Sequence, residues 1–198
     1  MLADWGAGGA VANQMNDEEI LAQTLDQHHS MCGILNNRLT ITRAVYTLWA
    51  KGDFREAILL MSKMKDPAVA VDVLTHAQIK TAKDFTLDMA VDFLPLMQDL
   101  LASRFEDYIV VALETTNVIL KGFSSLIKMT RAVAGASGPA GNRVEVDVAK
   151  EERLNKCNKC FSILQQIESG ARAIGKHDGR VGTHAQELIR SFESAKLT

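Results

Sequence analysis

The chain has 198 residues, 47% of them hydrophobic and 6% aromatic, with three prolines and a formal net charge of −2; that length supports one sizeable core, and the abundant Ala, Leu, Met, Lys and Glu favour helices over strands. Three cysteines, Cys32, Cys157 and Cys160, cannot all pair and are too sparse for a disulfide-stapled secreted domain. No basic-then-apolar leader opens the sequence, and the longest apolar run, Tyr108 to Leu113, falls far short of the ~20 residues of a membrane span, so a soluble, intracellular protein is expected.

Residues 1–15 are rich in Gly and Ala without periodicity and read as a flexible linker, leaving 16–198 as one helical domain. Asn16 has the character of an N-cap with Glu19 three residues on, and Leu21, Leu25, His28, Cys32 and Leu35 share one stripe, predicting a helix from about Asp17 to Asn36. Thr40 is expected to cap a second helix that buries Ile41, Val45, Leu48 and Trp49 and stops at Gly52. Asp53, and then Asp66 with Pro67, restart short helices without real loops.

A break near Lys83 to Thr86 precedes a helix from Leu87 to Leu101, in which Pro95 is expected to produce a bend. Its apolar residues occupy two faces, as befits a helix sandwiched between layers. Arg104 to Val133 forms a long central post, Gly135 to Asn142 is the clearest loop, and a helix runs from Val148 to Ile174. Thr183 and Gln186 are expected to open the last helix as a capping box. The fold class is therefore all-α: seven to eight antiparallel helices stacked as hairpins in the manner of HEAT or armadillo proteins.

Cys157 and Cys160 have the CxxC spacing of zinc and redox sites, and His28 with Cys32 could supply two further ligands. Both thiols, however, fall in the apolar arc of a helix, mid-helix rather than at its N-terminus, where cysteine acts as a small hydrophobe. No metal or other cofactor is expected. Phosphate-loop, nucleophile-elbow and metalloprotease motifs are missing from the sequence, His28 and His29 face different sides of one helix, and His184 is expected exposed after a cap. A non-enzymatic protein follows.

Residues 1–120 carry 9 Lys and Arg against 16 Asp and Glu, whereas 121–198 carry 13 against 8. A one-sided basic half is the footprint of an acidic partner. Lys150, Arg153, Lys156, Lys159, Arg172, Lys176 and Arg180 cluster there without interleaved aromatics, which argues against nucleic acid and leaves an acidic protein surface. Trp49 to Ile58, with its Gly52 turn, resembles one turn of a tetratricopeptide-type hairpin but has no second copy; on that hairpin alone, a general helical-repeat scaffold for peptides or vesicle coats is the competing reading.

The stretch from Val144 to Phe161 combines a preceding Gly/Pro loop, Val146-Asp147-Val148, Glu151-Glu152-Arg153-Leu154 and Lys156-Cys157-Asn158-Lys159-Cys160-Phe161. It closely resembles the conserved C-terminal domain of the katanin regulatory subunit, as do Ala44 to Ile58, Leu100 to Val110 and Gly182 to Leu188, in the same order. The resemblance spans about Asp17 to Ser194 and implies a helical adaptor that pairs with the N-terminal helical domain of the catalytic katanin ATPase subunit. It also implies raised microtubule affinity and severing, and recruitment to spindle poles, minus ends or other microtubule structures such as the centrosome or cilium. A full regulatory subunit would add an N-terminal β-propeller and a linker that these residues do not include. On this basis Lys156, Lys159, Lys176 and Arg180 are expected to meet the acidic surface of tubulin, and Trp49, Phe54, Phe105 and Tyr108 to face the partner subunit, with neither nucleic acid nor membrane involved.

Overall fold

A computed structural model of the chain describes residues 16–64, 66–76, 86–136, 148–176 and 178–197. Among them are seven α-helices and no strand: α1 (Asp17–Lys51), α2 (Phe54–Met64), α3 (Pro67–His76), α4 (Leu87–Leu101), α5 (Glu106–Ala136), α6 (Val148–Ile174) and α7 (Arg180–Ala195). The expected all-helical fold is present. The linker at 1–15 and most of the loop at 135–142 lie outside the described residues.

The start of α1 is a capping box. The Asn16 amide donates to Glu19 Oε2 at 3.1 Å and the Glu18 amide to Asn16 Oδ1 at 3.4 Å, satisfying N–H groups that a helix end otherwise leaves open. The expected break before Thr40 does not occur. Thr40 Oγ1 donates to the Asn36 carbonyl at 2.9 Å, so its hydroxyl bonds back into the preceding turn instead of capping a new helix, an alternative open to any Thr. The helix ends where Gly52 takes a φ of +82°. There the Gly52 amide donates to Trp49 and the Asp53 amide to Leu48, both at 3.0 Å, the paired closure of a Schellman turn.

By compactness the chain divides into residues 1–40 and 41–198. Of the first, the described part is residues 16–40, Asn16 and the α1 stretch that follows it. In the second, the helices alternate between two rows: α2 packs on α4 and α4 on α6, while α3 packs on α5 and α5 on α7. Contacts of α5 with α4 and α6, and of α6 with α7, join the rows. In two of these same-row pairs the helices run parallel. Along α4 and α6, Lys156 Nζ meets Asp88 Oδ1 at 2.6 Å and Gln98 meets Gln166 at 2.9 Å. Along α5 and α7, Arg180 meets Asp107 at 2.7 Å and Asn117 meets Glu187 at 3.2 Å. Parallel same-row helices with alternating rows are the geometry of stacked hairpins.

Phe93, Leu94, Met97 and Leu100 of α4 are fully buried in one core with Leu113, Ile119, Leu120 and Ile127 of α5, Leu164 of α6 and Phe192 of α7. Each such side chain contributes roughly 1.5–3 kcal/mol by leaving water. α4 continues past Pro95 to Leu101, held by buried residues on both sides of the proline. α5 carries a stretch apolar and long enough to cross a bilayer, Glu106–Ala134, but 56% of its apolar 18-residue window is buried, as befits the post shared by both rows. Asp66 caps α3 as expected, its Oδ1 accepting from the Ala68 amide at 3.1 Å. The last helix departs from expectation: it starts at Arg180 behind Gly179 without a side-chain cap. Thr183 Oγ1 donates back to the Gly179 carbonyl at 3.0 Å and Gln186 Nε2 donates to the Gly175 carbonyl.

Candidate interaction surfaces

The four cations expected to face tubulin are placed unequally. Lys156 is bound on two sides, to Asp88 and Glu152, each at 2.6 Å. Hydrogen bonds to Asp88 first and Glu152 second hold its ammonium above the ordinary lysine range. It therefore ties α6 to α4. Arg180 reaches Asp107 at 2.7 Å on the rim of a groove of about 660 Å³ that also contains Asp72, His76 and Glu114, so its neighbours are the chain's own acids. Lys159 and Lys176 are exposed, and no carboxylate among the described residues is paired with either. His184, expected exposed after a cap, is half-buried within α7 and 3.6 Å from Glu114, because the helix begins three residues before Thr183.

The most unusual surface belongs to residues 17–40. Ile20, Leu21, Leu25, Met31, Ile34, Leu35 and Leu39 are each 47–60% exposed, on a helix whose only buried residues, Ile41 and Val45, come later. Leu21, Leu25, His28, Cys32, Leu35 and Leu39 alternate spacings of four and three, the heptad seam that another helix fits. At its middle His28 Nε2 lies 3.5 Å from Cys32 Sγ. The stripe was visible in the sequence; its exposure was not, because periodicity marks an apolar face without saying what covers it.

In α6, Cys157 and Cys160 are buried beside Leu164 and Ile167. Desolvation, with a lesser contribution from Cys157, pushes the Cys160 thiol up to about 12, far from the reactive thiolate range. Among the described residues no three His, Cys, Asp or Glu side chains are gathered as a metal site would require. Next to this pair the Arg131 guanidinium lies 3.4 Å from the centroid of the Phe161 ring, a cation–π contact that pins α5 to α6. The motif around these cysteines lies within residues 26–192, which match the family model described as the con80 domain of katanin. The chain belongs to the katanin con80 family.

This con80 chain is 32% identical over 182 residues to the katanin p80 WD40 repeat-containing subunit B1 of Danio rerio, covering 92% of the chain and 25% of that protein. It is 29% identical over 172 residues to the subunit of the same name from Xenopus tropicalis, covering 87% of the chain and 25% of the relative. With homolog KTN80.3 of Arabidopsis thaliana it shares 27% over 178 residues, 90% of the chain and 20% of that protein. The con80 chain thus spans about a quarter or less of the length of these relatives. By their names these relatives are subunits of katanin or homologs of such a subunit.

The con80 aromatics expected at the partner interface form two separate pairs. Trp49 and Phe54 stack edge-to-face across the Gly52 turn, with centroids 5.0 Å apart, and both are half-buried. Phe105 and Tyr108 lie 5.2 Å apart at the start of α5, with the Arg104 guanidinium 5.1 Å from the Phe105 ring. Only Phe105 of the four is exposed.

Proposed function

We propose that this con80 chain holds the N-terminal helical domain of the catalytic katanin ATPase subunit against the heptad stripe of α1. In doing so it raises microtubule binding and severing and brings the ATPase to microtubule ends or spindle poles. The observation that carries the reading is the set of seven large apolar side chains left about half exposed between Ile20 and Leu39. A 24-residue helical stretch is about 36 Å long, and two partner helices along it can bury the ~1,200–2,000 Å² of a stable interface. The relatives' own designation as a subunit is consistent with an obligatory second chain. Phe105, with Tyr108, Trp49 and Phe54, supplies a second set of partner contacts on the helical body. Lys159 and Lys176 act as the principal cations toward the acidic surface of tubulin, with Lys156 and Arg180 joining them only where tubulin competes with Asp88 and Asp107.

Two variants test the two halves. Leu25→Glu combined with Leu35→Glu is expected to weaken binding to the catalytic subunit's N-terminal domain at least about a hundredfold, the worth of two buried leucines. Its thermal midpoint should stay unchanged, since both side chains are exposed; undiminished affinity in calorimetry rejects the α1 site. Lys159→Glu with Lys176→Glu is expected to reduce microtubule co-sedimentation at low salt, and the difference should shrink as salt screens the charges.

A further inference from the structure

A second site lies between the outer parts of α5 and α7, away from every surface discussed above. Lys121, Ser124, Ser125 and Lys128 recur at i, i+3, i+4 and i+7 along α5, and Glu187, Arg190, Ser191 and Ser194 do the same along α7. The two helices run parallel, so the two polar stripes face each other. Below them Leu120, Phe123, Ile127, Leu188 and Phe192 close the core. Between the stripes is a cleft of about 500 Å³, lined by those eight residues with the apolar Leu120 and Ala195.

The chemistry of this cleft is specific. Three cations and four hydroxyls converge on it against one carboxylate, giving a lining charge of +2. Glu187 is already engaged: its Oε1 accepts from Asn117 Nδ2 at 3.2 Å and lies 4.0 Å from Lys121 Nζ. No carboxylate among the described residues is paired with Lys128 or Arg190. A carboxylate ligand would use two acceptor oxygens, whereas a phosphomonoester offers three and carries about −1.5 to −2 charges near neutral pH. The phosphomonoester is the better match to a donor-rich lining of charge +2. The open groove between helices is several times larger than a phosphate group, leaving room for the residues flanking a phosphorylated side chain.

We propose that the cleft between α5 and α7 binds a phosphorylated serine or threonine on a peptide segment. Lys128 and Arg190 pair with the phosphate, Lys121 adds charge at one end, and the hydroxyls of Ser124, Ser125, Ser191 and Ser194 donate to its oxygens. The site does not depend on what occupies α1. It gives the con80 domain a place to read the phosphorylation state of another protein.

The test is a nuclear magnetic resonance titration of the 198-residue chain with a Gly-phosphoserine-Gly tripeptide, its unphosphorylated form, and the same tripeptide with glutamate at the centre. The phosphorylated probe is expected to shift the amides of Ser124, Ser125, Arg190 and Ser191, with the other two probes binding at least about tenfold more weakly. Lys128→Ala and Arg190→Ala should each weaken it about tenfold, as loss of a charge-assisted hydrogen bond implies, whereas Lys159→Ala should not. Arg190→Lys should recover part of the loss, separating charge from folding, and inorganic phosphate should perturb the same amides. Equal binding of the glutamate or unphosphorylated probe, shifts centred elsewhere, or an equal loss in Lys159→Ala would overturn the assignment.

Discussion

At the scale of single residues, one side chain can satisfy two opposite readings, and the surroundings choose. Thr40 and Thr183 both have the sequence context of N-caps, yet each hydroxyl donates to the carbonyl four residues earlier. Thr86, at the end of the expected break, does cap its helix, accepting from the Met89 amide at 3.3 Å. Cys160 is a similar case, because CxxC spacing is compatible with a ligand, a redox pair or packing, and only burial makes it packing. Its folded thiol sits near 12 against an ordinary 9.0. A folded-state value above the unfolded one means that stability is full below pH 9.0 and is lost as pH rises toward 12. Tyr46, raised by burial and then by Asp72, and Lys156 push in the same direction. Urea midpoints should therefore fall from about pH 9 upward. Cys160→Ala should cost about 1–2 kcal/mol at pH 7 and flatten that fall. In the folded wild type, iodoacetamide should modify the partly exposed Cys32 well before Cys157 or Cys160, as peptide mapping would show.

At the scale of elements, helix ends decide how the chain turns, and glycines mark which ends are under constraint. Gly52 has open space around its α-carbon but a φ of +82°. Gly170 lies inside α6 with ordinary helical geometry and equally open space. Alanine should therefore act with opposite sign at the two: Gly52→Ala is expected to destabilise by about 1 kcal/mol through left-handed strain, and Gly170→Ala to stabilise by about 0.5–1 kcal/mol through helix propensity. Chemical denaturation of the two variants checks both signs. The elements α4 and α6 match their expected limits, since Thr86 and the Gly/Pro-rich stretch before Val148 leave no competing start. The separation expected inside α1 fails for the converse reason: Asn37, Arg38 and Leu39 contain neither Gly nor Pro, and nothing in them stops a helix already nucleated.

At the scale of the whole molecule, alternation of two rows makes α4 and α5 the load carriers of residues 41–198. Phe93 of α4 is fully buried, and Phe93→Ala should cost about 3–5 kcal/mol in equilibrium unfolding, while substitutions in the exposed stripe of residues 17–40 should leave stability unchanged. The asymmetric charge of the two halves, read as a sign of an acidic partner, is partly spent inside the fold: Lys156 on Asp88, Arg180 on Asp107 and Arg172 on Glu168. Lys128 and Arg190, unremarkable in sequence, become neighbours of four serines only because α5 and α7 lie side by side. From sequence alone came the helical class, most helix limits, the inward-facing cysteines and the family resemblance, because apolar period, caps and local motifs are written within a few residues. Tertiary structure alone decided which apolar stripe is covered, which cations are neutralised and which polar faces meet, because each depends on residues tens of positions apart in the chain and adjacent only once the helices have packed.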